Sequence, residues 1–345
     1  MMIDFLRIRT FSQSEILNLR GLELVPDYPI QGWECFKLTD RIKFRFKPLY
    51  QNSEFIGYAF ADLSIQPHFI FNNGHNGNDF APSDCIRTLN KIFNDLRIQD
   101  LAEFQIIGIE FGVNVIPQTD VKEVVNSIKY WKRKPYKRNK ADFSLITDST
   151  AHKQIKAYAK GLDAIERLKT DEVHPNTFRF EIKSKERKFL NLTALDLLNS
   201  RVYDDFQKRI VSDLNFTLFV GKPETKKGLT IKEKRELKEL TNTDSWTAYL
   251  NDKNRDKFNY QRKKYERIMA KIPNLKSEIK EQIEAKFNDW KNSANSTKKN
   301  KQKKADKNQS INKLNKNNSA NSTSHTHTRA FYSWKMQTKS AINNQ

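Results

Sequence analysis

The chain has 345 residues, enough for one large domain or two small ones with an ample core. Its net charge of +21 points to a polyanionic partner, because each Lys or Arg that meets a phosphate releases counterions. Two cysteines far apart in the sequence, Cys35 and Cys85, argue against a disulfide framework or a cysteine metal site, and the lack of any apolar run of about 18 residues argues against a membrane-spanning helix.

With no charged and apolar leader at its start, the chain is expected in the cytoplasm. Residues 1–65 alternate in the manner of strands. In Ile42–Lys47, Phe44 and Phe46 are expected inward and Lys43, Arg45 and Lys47 outward, a row of cations that suits phosphates or an ordinary solvated sheet face. Trp33–Leu38 and Glu54–Phe60 read the same way. Pro67–Phe71 follows as a further strand carrying His68, and the Asn- and Gly-rich run Asn72–Phe80, which holds His75, predicts turns; both histidines are candidate metal ligands.

Helical spacing begins at Ser83, the expected cap, with Ile86, Leu89, Ile92, Phe93 and Leu96 on one face. The strand Ile106–Val115 comes next, with Glu110 and Asn114 in phase on one face and Gly112 between them. A second helix is expected from a cap at Thr119 through Val121, Val124, Val125 and Ile128, ending near Trp131. The segment Lys129–Arg138 interleaves cations with aromatics. Lys129, Lys132, Arg133, Lys134, Lys137 and Arg138 are expected on phosphates, and Tyr130, Trp131 and Tyr136 stacked on bases. A basic solvated loop is the alternative.

Two more strands follow, Gln154–Gly161 and Thr177–Lys183. The first carries Tyr158 and Lys160. In the second, Arg179, Glu181 and Lys183 share one face while Phe178, Phe180 and Ile182 take the other. Leu190–Phe219 reads as one or two helices, with Thr193 a possible cap and Tyr203 on the helical part. Residues 230–290 predict charged helices broken near Asn242 and at Pro273. Beyond Asn292 the Asn-, Lys- and Ser-rich composition predicts a disordered basic tail, in which the pair His325 and His327 reads as incidental. The fold class expected is therefore α+β. It consists of an antiparallel or mixed sheet under amphipathic helices (1–220), a charged helical region (221–291) and the tail (292–345).

The series "IIGIEFGVNV", "IKAYAKGLD" and "TFRFEIKSKERKFL" resembles the replication initiators of rolling-circle plasmids and filamentous phages. There an acidic strand precedes an I-x-x-Y-x-K strand and then an R-x-E strand; similar proteins occur on bacterial mobile elements. The resemblance covers roughly Ser83–Phe219. It implies a sheet-based nicking domain acting on a single-stranded or hairpin DNA origin, with host replication proteins as further partners. It also implies Mg²⁺ or Mn²⁺ held by Glu110 and Glu181, with His68, and charge neutralisation by Lys160 or Arg179. A tyrosine nucleophile is implied too: Tyr203, downstream on its helix, is the favoured position, and Tyr158 on its strand the alternative. Ala159 departs from the pattern, which carries an acid there. A DNA-binding protein without catalysis, an RNA-binding protein, and a cross-strand ion-pair ladder with no chemistry are the competing expectations.

Overall fold

The structure is a computed structural model that describes residues 2–138, 144–184, 190–221, 223, 225–254 and 256–293. The fold is α+β. Its main element is an antiparallel sheet of ten strands, in the order β2-β3-β4-β5-β1-β6-β12-β11-β10-β9. The N-terminal half contributes β1 (Met2–Thr10), β2 (Val25–Pro26), β3 (Glu34–Thr39), β4 (Ile42–Gln51) and β5 (Glu54–Ile65). The middle of the chain contributes β6 (Gln105–Val115), β9 (Lys137–Arg138), β10 (Ser144–Asp148), β11 (Lys153–Ala159) and β12 (Phe178–Ser184). A second sheet of three strands joins β7 (Ile128–Trp131), β8 (Lys134–Pro135) and β13 (Thr217–Phe219) in the order β13-β7-β8.

Alternation divides the large sheet into two unlike faces. Phe44 and Phe46 are buried as the pattern requires, and so are Ile109, Phe111, Phe178, Phe180 and Ile182. They form one apolar core with the helices α1 (Gln13–Arg20), α3 (Pro82–Asp95), α4 (Val121–Ser127) and α6 (Ser200–Asn215). Phe206 of α6 stacks on Phe111 with ring centroids 4.4 Å apart. Each such ring contributes about 1.5–3 kcal/mol by leaving water. The opposite face carries the charged residues.

Several local expectations are corrected. Pro67–Phe71 is a short helix, α2, with His68 inside it. Ala81, not Ser83, is the cap residue of α3, and Pro82 takes its first position; a proline lacks the N–H that this position leaves unpaired. Asp120, not Thr119, caps α4, and that helix stops at Ser127 rather than near Trp131. Beyond it the β-prone Ile128–Trp131 pairs with Thr217–Phe219. Strand β11 ends at Ala159, and Lys160 begins the short helix α5 (Lys160–Asp163). Asn199, not Thr193, caps α6.

The charged helices appear where expected: α7 (Ile231–Leu240), α8 (Thr243–Asn251), α9 (Asp256–Met269) and α10 (275–293). They are not polar all round. Leu237, Trp246, Phe258 and Ile268 build a satellite core that includes Tyr130 and Leu218 of the small sheet. Ile279, Ile283 and Phe287 of α10 enter the main core. Residues 1–293 form one compact unit. The expected basic tail, with His325 and His327, lies outside the described residues except for its first two positions. No helix among the described residues is long and apolar enough to cross a membrane.

Candidate functional site

The three strands that resemble the initiator pattern are neighbours, with β12 between β6 and β11. Register places Glu181 opposite Gly112 on one side and Lys156 on the other; Arg179 falls between Asn114 and Tyr158, and Lys183 between Glu110 and Gln154. Paired residues of an antiparallel sheet point to the same face, so these side chains converge.

At the centre Arg179 is fully buried. Its guanidinium donates to Asp4 and to the carbonyl of Asn76, and its Nε to Asn114 Oδ1 at 2.7 Å. Asp4 also receives His68 Nδ1 at 2.7 Å and Asn76 Nδ2 at 3.3 Å. Burial alone would raise the Asp4 carboxyl; the charge of Arg179 and the His68 hydrogen bond outweigh it and hold the group well below the usual carboxylate range. Asp4 was not anticipated from the sequence. A signal was there: Ile3, Leu6 and Ile8 are all buried, a spacing that requires a bulge after Ile3, and β1 slips register against β6 at that point.

Beside this network the Tyr158 hydroxyl donates to Glu181 Oε2 at 3.2 Å and accepts from Arg179 Nη1 at 3.3 Å. Burial pushes the phenol well above its ordinary value, with Arg179 opposing. Glu181 is 2 % exposed, and desolvation raises its carboxyl to about 7, with Lys156 pulling down and Glu110 and Asp4 pushing up. Tyr158 is thus held as a phenol, with the raised Glu181 carboxyl in hydrogen-bond contact. Lys160 is buried, donating to Asn76 Oδ1 at 2.6 Å and lying 3.1 Å from Asp163. Burial, with the charge of Arg179, brings its ammonium down to about 8.

The other acid, Glu110, is ion-paired with Lys156 at 2.8 Å and Lys183 at 2.6 Å; burial raises its carboxyl, but the two ammonium groups outweigh that and lower it. Lys156 also reaches Glu181 Oε1 at 2.8 Å. Cross-strand ion pairs therefore link Glu110, Lys156, Glu181 and Lys183, with Lys156, which the sequence reading passed over, at their centre.

The residues expected to hold Mg²⁺ or Mn²⁺ do not fit a divalent ion as arranged. The Lys156 ammonium stands between Glu110 and Glu181, where a bridging ion would sit. His68 is turned to Asp4 and stacked on Phe80 with centroids 5.0 Å apart. Among the described residues no group of three or more His, Cys, Asp or Glu side chains is gathered as a metal site.

Tyr203 is not part of the cluster. It lies in the helical layer against the sheet's apolar face, 1 % exposed, its hydroxyl donating to the Leu197 carbonyl at 3.0 Å. Burial beside Cys85 pushes its phenol well up. A side chain so enclosed belongs to the core.

The segment Lys129–Arg138 is also reassigned in part. Tyr130 packs edge-on against Phe258 in the satellite core, the Trp131 indole donates to Asp213 Oδ1 at 3.1 Å, and the Tyr136 hydroxyl lies 3.3 Å from that of Thr217. The Tyr130 and Trp131 rings are buried, and Tyr136 is partly exposed. Lys129 is half-buried, and the Arg133 guanidinium reaches the Leu250 carbonyl. Lys132, Lys134, Lys137 and Arg138 remain exposed, with Lys132 over the Trp131 and Phe216 rings and Arg138 bonded to Asn126.

No family model matches this chain, and no curated protein does. A solved structure that aligns with it is the di-domain ARO/CYC StfQ from the steffimycin biosynthetic pathway. It is 9 % identical over 61 % of this chain and 96 % of that one, at a TM-score of 0.17, a likeness too slight to carry any argument about fold or function.

Proposed function

We propose that this protein is a DNA-binding replication initiator of a mobile element that cleaves one strand by tyrosine transesterification, with Tyr158 as the nucleophile. The observation that carries the reading is the contact of the Tyr158 hydroxyl with both Glu181 and Arg179. In the reaction Glu181 takes the phenolic proton and the Tyr158 oxygen bonds to phosphorus. The P–O3′ bond breaks, and the 3′-oxygen leaves as a hydroxyl with a proton from Lys160. Arg179, fixed by Asp4 and Asn114 before substrate arrives, and the Lys156 ammonium offset the charge of the pentavalent phosphate without reorganising. The 5′-phosphotyrosine retains the bond energy for rejoining.

A second reading, a DNA-binding protein without catalysis, is favoured by one feature. Lys156 and Lys183 neutralise Glu110, as in a ladder whose role is to hold strands together. Incubation with supercoiled and single-stranded DNA, in Mn²⁺ and in EDTA, separates the two. The transesterification reading expects cutting in both conditions, lost in Tyr158→Phe and reduced in Glu181→Gln, with Tyr203→Phe cutting like the wild type. DNA binding with no cutting in any form establishes the second reading.

A further inference from the structure

The charged face of the sheet does not stop at the Tyr158 cluster. Across β4, β5 and β1, register aligns Arg45 with Asp62 and Asp62 with Arg9, and one pair further along Lys43 with Ser64 and Ser64 with Arg7. Lys47 lies opposite Phe60. From Arg7 the row passes to Gly108 on β6, one pair from Phe5 and Glu110. The face thus runs without interruption from β4 to β11. At a strand spacing of about 4.8 Å those five steps span roughly 24 Å.

Two properties distinguish this face from an ordinary solvated sheet surface. Its cations outnumber their partners: Arg9 is held by Asp62 at 2.6 Å and Lys43 by Asp27 at 2.8 Å, but among the described residues neither Arg7 nor Arg45 has a carboxylate within ion-pair distance. Burial, and then the neighbouring Arg45, lower the pKa of Arg7, with Asp62 opposing and Arg9 adding to the repulsion. Folding has gathered like charges that an anion would relieve. The face also interleaves aromatics with those cations. The Arg9 guanidinium sits 3.9 Å from the Phe60 ring, Arg7 5.4 Å from Phe5, and Lys47 5.7 Å from Trp33. All of these side chains are partly exposed. Cations interleaved with rings on which bases stack are the recognition chemistry of single strands; a duplex hides its base faces.

We propose that the open face of β4, β5, β1 and β6 is the track on which single-stranded DNA lies as it reaches Tyr158. Arg7, Arg45 and Lys47 meet phosphates, and Phe5 and Phe60 carry bases. The track takes on the order of four nucleotides, within the range of sheet-based single-strand binders. This inference rests on the reading of the protein as DNA-binding, but not on cleavage. All tests therefore use the full chain carrying Tyr158→Phe, so that binding is read apart from covalent capture.

Fluorescence anisotropy with an oligothymidylate, a duplex and an RNA of matching length, over a series of salt concentrations, tests it. Replacing Arg7, Arg45 and Lys47 together by Gln is expected to weaken oligothymidylate binding roughly 10–100-fold and to reduce the log–log salt slope by about 2, for three lost phosphate contacts. A charge-matched variant on α7, with Lys232, Lys234 and Lys238 changed to Gln, is expected to stay within about threefold of the parent, since those side chains lie off the track. Phe60→Leu is expected to lose roughly tenfold with no change in slope, because stacking releases no counterions. The single change Arg45→Gln, at a side chain with no ion pair to lose, is expected to weaken binding even if the triple variant fails to fold. Tighter binding of the duplex or the RNA than of single-stranded DNA overturns the proposal. So does an α7 variant that loses as much as the sheet-face variant. Persistence of the sheet-face effect in the Tyr158→Phe chain, together with a wild-type protein that binds DNA but never cuts it, supports the track and sinks the cleavage reading alone.

Discussion

Arg179 has a buried guanidinium with a carboxylate on one side, an amide oxygen on another and a phenol on a third. Groups so placed cost several kcal/mol to desolvate, and the cost is offset only while every partner is present. The consequence with the clearest readout concerns Glu181. A carboxyl whose folded pKa is about 7, against 4.5 when unfolded, binds more protons in the folded state. Its contribution is fully present below pH 4.5 and is lost as the pH rises through about 7. The stability difference between wild type and Glu181→Gln should therefore shift against the wild type between pH 4.5 and 7 and level off above it. Urea denaturation at a series of pH values measures this, and a flat difference across that window would mean that Glu181 is ionised throughout. Asp4 has the opposite sign, its stabilisation fading only as the pH falls below the ordinary carboxylate range.

Secondary-structure elements hold these residues in place through close strand packing. Gly112 lies opposite Glu181, and a Cβ there would stand 2.8 Å from the Phe180 carbonyl and 3.2 Å from Glu181 Cα and Cβ. Gly112→Ala is expected to push β12 away and destabilise by about 1–3 kcal/mol, as overpacking does, lowering the urea midpoint with little change in slope. A midpoint equal to wild type would show that the two strands are not held as tightly as their register requires. The glycine itself was legible in "IEFGVNV", and so was the division of β12 into a charged and an aromatic face, because period-two alternation is written directly in the residues. The insertion of β12 between β6 and β11 was not, since strand order depends on contacts distant in sequence. Short segments misled for a related reason. Pro67–Phe71 is too brief for periodicity to separate helix from strand, and in Ile128–Trp131 tertiary pairing with β13 overrode the helical spacing that precedes it.

For the whole molecule, composition indicated a polyanionic partner but misplaced part of the surface that would meet it. The aromatics of Lys129–Arg138 looked suited to stacking because sequence cannot tell a buried ring from an exposed one. Folding instead assembles the cationic face by setting β1, distant in sequence, beside the consecutive strands β4 and β5. From the chain Tyr203 ranked ahead of Tyr158; the two faces of one sheet separate them, burying the first among helices and leaving the second partly exposed beside an acid and a guanidinium. The account turns on that distinction. It is tested most directly by incubating the protein with single-stranded DNA, digesting the covalent product with nuclease and trypsin, and mapping the residual phosphate by mass spectrometry. The prediction is a single modified peptide with the phosphate on Tyr158, absent from Tyr158→Phe. Modification at another tyrosine, or none despite tight DNA binding, would contradict it.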